Sequence, residues 1–89
     1  MMNRQEVVEA ALDCITNDRA KQYGKAEDNF DNIARLWSAY LKVDISKLEV
    51  SMLMVLLKVA RTTSSPEHSD NYVDMIGYSA IASELATVK

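Results

Sequence analysis

Apolar side chains recur along this chain at the three- and four-residue spacing of amphipathic helices. The first two helical segments each carry one apolar stripe, formed by Val8, Ala11, Leu12 and Ile15 and by Phe30, Ile33, Ala34, Trp37, Tyr40 and Leu41. The third segment, "VSMLMVLL" at residues 50–57, is apolar on nearly every side, so we expect it at the centre of the assembly. A fourth follows the loop "TTSSPEHS".

Local signals predict where these helices begin and end. Asn3 with Glu6, and Ser46 with Glu49, have the spacing of a capping box, in which each side chain caps the other's backbone N–H. Gly24 suits the left-handed position that ends a helix. The sequence therefore predicts that the first helix ends at Gly24 and that the third opens after Ser46.

The fourth helix is predicted to begin with Pro66, directly after Ser65, and to run to about Ala86. Short connections make successive helices antiparallel. The predicted fold is therefore an all-α, up-down bundle of about four helices, formed by residues 1–89 as a single domain.

The length of the chain, 89 residues, is enough for one small domain. A domain of this size buries only about 60% of its unfolded surface. We therefore expect a homodimer or higher homo-oligomer that completes the bundle, with the apolar third helix as the contact.

Charge and hydropathy exclude several partner classes. The net charge is −3 and the ten basic residues are scattered, which argues against a nucleic-acid polymer. The longest apolar run is about eight residues, too short for a membrane span, and no signal peptide is recognisable. The single cysteine, Cys14, excludes an internal disulfide and fits a cytoplasmic protein.

In an up-down bundle, the end of the third helix and the start of the fourth meet at one end, together with the loop between the first two helices. The uncommon polar residues are concentrated at that end. The candidate substrate-binding residues there are Lys58, Arg61, Tyr23 and Asn71, and the candidate magnesium ligands are Asp74, Asp70, Glu27 and Asp31. Carboxylates for a divalent cation beside cations for phosphate are expected of a nucleotide site.

A simpler interpretation stays open. Acidic residues are favoured in the first helical turn and basic residues in the last, so Lys58 or Arg61 could pair with Asp70 or Asp74 across the two helices. Asp74 fits this interpretation less well, because it lies inside the fourth helix beside the apolar stripe. The single histidine, His68, is expected to be a solvated loop residue.

Three segments in order, "YGKAEDNFDNIARLW", "LLKVAR" and "SDNYVDMIGYSAI", resemble small phage-encoded proteins related to the MazG-like, all-alpha nucleoside triphosphate pyrophosphatase superfamily. The resemblance covers residues 19–83. It implies a helical bundle, usually dimeric, that holds magnesium through E-x-x-E and E-x-x-D motifs. Such enzymes cleave a nucleoside triphosphate to the monophosphate and pyrophosphate.

The later motif of that superfamily falls on Asn71 and Asp74, with Asp70 adjacent. The earlier motif falls on Lys58 and Arg61, which are cations and cannot ligate magnesium; the related phage group shares this K-x-x-R pattern. The resemblance therefore implies nucleotide binding in a phage or prophage context, with or without magnesium-dependent hydrolysis, and no catalytic residue is assigned. The alternative is a non-catalytic helical interaction protein, such as a phage accessory or host-modulating factor.

Overall fold

A computed structural model describes residues 2–16 and 26–87, with the side chains of the second range described from residue 29 onward. This part of the chain contains four α-helices and no strand. The helices are α1 (Arg4–Thr16), α2 (Ala26–Leu41), α3 (Lys47–Thr62) and α4 (Ser69–Thr87). The predicted all-α class and the four helices are confirmed, whereas the predicted helix end at Gly24 lies outside the described residues.

Both predicted capping boxes are present. The Asn3 side chain accepts a hydrogen bond from the Glu6 N–H at 2.9 Å, and the Glu6 carboxylate accepts one from the Asn3 N–H at 3.1 Å. Ser46 and Glu49 make the same reciprocal pair at 3.1 and 2.9 Å. Because capping depends on residues only three positions apart, it was readable from the sequence.

The start of α4 differs from the prediction. Pro66 is not the first residue of the helix, because the His68 N–H donates to the Ser65 carbonyl at 3.2 Å and closes a turn with Pro66 at its second position. A fixed proline φ suits that turn position as well as a helix start. The Tyr72 hydroxyl also donates to the Pro66 carbonyl at 2.6 Å, and α4 begins three residues later, at Ser69.

Helix α2 ends in a tight turn that leads to α3. Lys42 has a left-handed backbone, with φ of 58°, and the Val43 N–H donates back to the Ser38 carbonyl at 3.3 Å. The Ser38 hydroxyl then accepts a hydrogen bond from the Ile45 N–H at 2.9 Å. This pattern of a left-handed residue and a long backbone bond ends α2 and turns the chain toward α3.

Helix α4 packs against α3 and α1, and α3 also packs against α2. Two contacts show that α3 and α4 are antiparallel, since Ser51 contacts Tyr78 whereas the later Lys58 contacts the earlier Asp74. Between α2, α3 and α4 lies a core of Phe30, Ala34 and Val50, against which Ile33, Trp37, Ile45, Met54, Tyr78, Ile81 and Leu85 pack.

Several residues of the predicted apolar stripes are exposed. Val8 and Leu12 on α1 and Leu41 on α2 are exposed, and Tyr40 is 86% exposed. In the single chain one side of α3 faces solvent, so its expected place at the centre of the assembly stays a prediction. More residues are buried on α4 than on α3, since α4 has a neighbouring helix on two sides. None of the four helices in the described range combines the length and apolar character that a membrane crossing needs.

Candidate functional site

The end of α3 and the start of α4 are joined by an ion pair. Lys58 Nζ lies 2.7 Å from Asp74 Oδ2, and each side chain is only 14% exposed. Lys58 is one helical turn before Arg61, and Asp74 is one turn after Asp70 and Asn71. The contact is one of the pairings that the helix-end interpretation predicted.

One helical turn from this ion pair, along both α3 and α4, is an open depression of about 260 Å³. Its lining residues are Arg61, Ser64, Ser65, His68 and Asn71. Asn71 is 3% exposed, and its side-chain N–H group donates to the Ser65 carbonyl at 3.5 Å. The Asn71 backbone N–H donates to the His68 carbonyl at 3.2 Å, so the turn and the first turn of α4 hold each other in place.

The last turn of α3 forms the opposite wall of the depression. The Ser64 and Ser65 N–H groups both donate to the Arg61 carbonyl, at 3.3 and 3.1 Å. These bonds extend the helix hydrogen bonding past Thr62 and fix the backbone below the Arg61 side chain, which is exposed.

The polar groups around the depression favour an anion. Within the described part of the chain, its lining contains a guanidinium, two hydroxyls, an imidazole and an amide, and no carboxylate. The start of α4 adds the partial positive charge of a helix N-terminus, and the end of α3 opposes it with the partial negative charge of a C-terminus, so the lining side chains decide the preference. Nearby, His68 Nε2 lies 3.7 Å from Asp70 Oδ2, and the Asp70 side chain is 75% exposed.

The predicted magnesium ligands do not come together in the described part of the structure. Asp74 contacts Lys58, Asp70 lies toward His68, and Asp31 lies 3.6 Å from Arg35 on the surface of α2. The side chain of the fourth candidate, Glu27, lies outside the described residues. No group of three or more His, Cys, Asp or Glu side chains suited to a metal occurs among the described residues. The three carboxylates that the structure describes are apart from one another, and magnesium stays a prediction.

Two of the four predicted substrate-binding residues share the depression. Arg61 and Asn71 both line it. Lys58 points instead to Asp74, and Tyr23 lies outside the described residues. The structure therefore brings together a smaller, more basic site than the sequence predicted.

Sequence reasoning missed the contribution of the loop between α3 and α4. Ser64, Ser65 and His68 line the depression, whereas the sequence alone suggested only a solvated loop. The available signal was the pair of serines before Pro66, between two helix ends that carry opposite partial charges.

Comparison with known protein families places the chain in one of them. The model described as "Domain of unknown function (DUF6378)" matches residues 6–86, nearly the whole chain. The chain belongs to the DUF6378 family. The match includes all the described residues of the ion pair and of the depression.

Two phage proteins are similar to this DUF6378 protein. The "Gene 55 protein" of Mycobacterium phage D29 is 40% identical over 74 residues, which are 83% of this chain and 49% of the relative. The "Gene 55 protein" of Mycobacterium phage L5 is 35% identical over 80 residues, which are 89% of this chain and 51% of the relative. The chain spans about half the length of these curated relatives.

The comparisons support the phage-type part of the resemblance found in the sequence, because both relatives are phage proteins. The relationship to MazG-like enzymes stays a prediction. No solved structure matches the chain.

Proposed function

We propose that this DUF6378 protein binds the phosphate groups of a nucleotide in the depression between the end of α3 and the start of α4, in a phage or prophage context. The observation that carries the proposal is the position of Arg61 and Asn71, which line one depression together with hydroxyl and imidazole groups. Phosphate oxygens only accept hydrogen bonds from such groups, and a guanidinium can donate two at once.

The ion pair beside the depression supports anion binding. The Lys58 ammonium, 2.7 Å from the Asp74 carboxylate, offsets the negative charge that lies one turn from Asn71. Because the pair is close to neutral as a unit, the charged groups that remain near the depression are Arg61 in its lining and Asp70 beside His68. An incoming phosphate therefore meets the Arg61 guanidinium in the lining, while the Asp70 carboxylate lies outside the lining and is 75% exposed, so that water and salt screen it.

The size of the depression limits how much of a nucleotide it takes. Its volume of about 260 Å³ lies just below the range of about 300–1,000 Å³ typical of small-molecule pockets. We therefore assign the depression to the phosphate groups and place the nucleoside outside its rim.

Magnesium-dependent cleavage to a monophosphate and pyrophosphate is a finer proposal, and the charges support it less than binding. A metal on Asp74 would share that carboxylate with the Lys58 ammonium, and two cations beside each other in a mostly buried place repel. Incubation of the protein with nucleoside triphosphates and magnesium, followed by measurement of pyrophosphate, tests this step separately. We expect the protein to bind nucleoside triphosphates whether or not pyrophosphate is released.

The direct test of binding is calorimetric titration with a panel of nucleoside mono-, di- and triphosphates, with magnesium and with EDTA. We expect Arg61→Ala to weaken nucleotide binding at least about tenfold, because a charge-assisted hydrogen bond contributes about 1.5–3 kcal/mol. The matched control is Arg35→Ala, which removes the same charge from the surface of α2, where Arg35 is exposed beside Asp31.

The two arginine variants separate a local contact from a general effect of charge. Equal loss of affinity in Arg61→Ala and Arg35→Ala would show that binding follows net charge only. Absence of heat and of any thermal shift with the whole panel, in the wild-type protein, would contradict the proposal itself.

A further inference from the structure

The middle of α3 has an inverted pattern of polarity. Between Val50 and Ala60 the only polar side chains are Ser51 and Lys58, and both point into the molecule. Ser51 is 0% exposed and its hydroxyl donates to the Tyr78 carbonyl at 2.7 Å, while Lys58 contacts Asp74. A helix on the surface of a monomer normally has its polar residues outside. The solvent side of α3 is apolar instead.

We name this solvent side the outer α3 face. It consists of five exposed apolar side chains, Met52, Leu53, Leu56, Leu57 and Val59. They form adjacent rows at helical spacing, and their exposed fractions are between 41% and 59%. Together they present roughly 400 Å² of surface, which is as large as the largest apolar patch on a typical monomer, and such patches often mark interfaces.

We propose that two copies of this chain pack antiparallel through the outer α3 face. Charges at its two ends favour that orientation. Glu49 precedes the face, and Arg61, which also lines the depression, follows it at its edge; both are exposed. An antiparallel pair places the Glu49 end of each copy beside the Arg61 end of the other and also opposes the helix dipoles. A parallel pair would bring like charges together at both ends.

The area of the face sets the expected affinity. Two copies bury roughly 800 Å² from the outer α3 face, below the 1,200–2,000 Å² of stable specific interfaces, so flanking residues must add to the contact. We therefore expect a reversible dimer with a dissociation constant of about micromolar order. In a two-fold dimer the outer α3 face of one copy packs on the same face of the other, so leucines of one copy meet leucines of its partner.

Sedimentation velocity on the full chain, from about 1 to about 500 µM, tests the proposal. We expect Leu56→Asp to weaken dimerisation at least about tenfold, because it buries a charge at the centre of the interface. Leu12→Asp is the matched control, since Leu12 is 57% exposed on α1 and Leu56 is 59% exposed. Circular dichroism verifies that each variant is helical.

A charge exchange tests the orientation without adding a charge to the apolar face. Glu49→Arg and the double variant Glu49→Arg with Arg61→Glu both lose the capping box with Ser46, so they are compared with each other, and the double variant should dimerise severalfold more tightly than Glu49→Arg alone. In a parallel dimer each variant would still place like charges together at both ends, so the double variant would be no tighter than Glu49→Arg alone.

Three results would overturn the proposal. The first is a wild-type protein that stays monomeric at every concentration, which would leave the face for a different protein. The second is a dimer that Leu12→Asp disrupts as strongly as Leu56→Asp. The third is a double charge variant no tighter than Glu49→Arg alone.

Discussion

At the scale of single residues, the pair formed by Lys58 and Asp74 is the most consequential contact of the described chain. Each side chain is 14% exposed, so each charge has lost most of its water. Two charges in such a place stabilise each other mainly by removing the penalty of being alone there. The same pair therefore affects stability and the charge beside the phosphate site.

Removing one partner of this pair should lower the free energy of unfolding, whereas replacing both partners with apolar residues should change it little. We expect Asp74→Ala to lower the free energy of unfolding by about 3 kcal/mol, because the Lys58 ammonium is left in a mostly buried position. The double variant Lys58→Met with Asp74→Leu should recover most of this loss. Urea unfolding of the three proteins measures both effects.

If Asp74→Ala unfolds at the same urea concentration as the wild-type protein, the pair is not a stabilising element. The expected loss of stability also explains why Arg61 is the better residue for testing nucleotide binding. A fall in affinity after Asp74→Ala would mix a weaker fold with a changed site.

At the scale of helices, Gly77 sets how closely α1 approaches α4. Gly77 is buried near the middle of α4, and a Cβ placed on it would lie 3.4 Å from Ile15 Cγ2. That distance is ordinary van der Waals contact for one methyl group. Larger side chains would meet α1, because Ile15 already occupies the space above the backbone.

We expect Gly77→Ala to stabilise the protein by about 0.5–1 kcal/mol, because alanine has the higher helix propensity and its methyl group still fits. Thermal unfolding should show a rise of a few degrees. Gly77→Val is the paired variant, and its two extra methyl groups should push α1 away and lower the unfolding temperature. A loss of stability in Gly77→Ala would show that Ile15 cannot adjust.

At the scale of the whole molecule, the described part of the chain has four helices with which to bury its apolar residues. The described chain leaves the outer α3 face uncovered, and Val8 and Leu12 are also exposed. A domain of this size gains relatively little burial by itself, and association is a common remedy. Folding and dimerisation should therefore be linked.

This linkage predicts that thermal stability depends on protein concentration. Raising the concentration about a hundredfold above the dissociation constant adds at most about 2.7 kcal/mol of stability, so the melting temperature of the wild-type protein should rise by several degrees. Leu56→Asp should show a clearly smaller rise over the same range, because its dimer is weaker. Scanning calorimetry at several concentrations is the measurement, and a concentration-independent wild-type melting temperature would contradict the link.

The helices and the two capping boxes follow from sequence alone because the interactions that start a helix lie within one turn. Asn3 with Glu6, and Ser46 with Glu49, could be paired by their spacing, and the structure shows both pairs. The joining of the last turn of α3 to the first turn of α4 was also predictable, because a short loop leaves few other arrangements. Pro66 was misplaced because a helix start and a turn require the same φ of proline.

Tertiary packing decided which side of α3 faces inward and which residues form the site. A segment that is apolar on nearly every side has no inward face of its own. Ser51 and Lys58 turned inward because α4 offers each of them a partner, in Tyr78 and Asp74, that lies far away in sequence. That rotation removed Lys58 from the phosphate candidates, left Arg61 beside the loop and turned five apolar side chains to the outside. Such pairings are decided by where α4 lies, which no local pattern in α3 encodes.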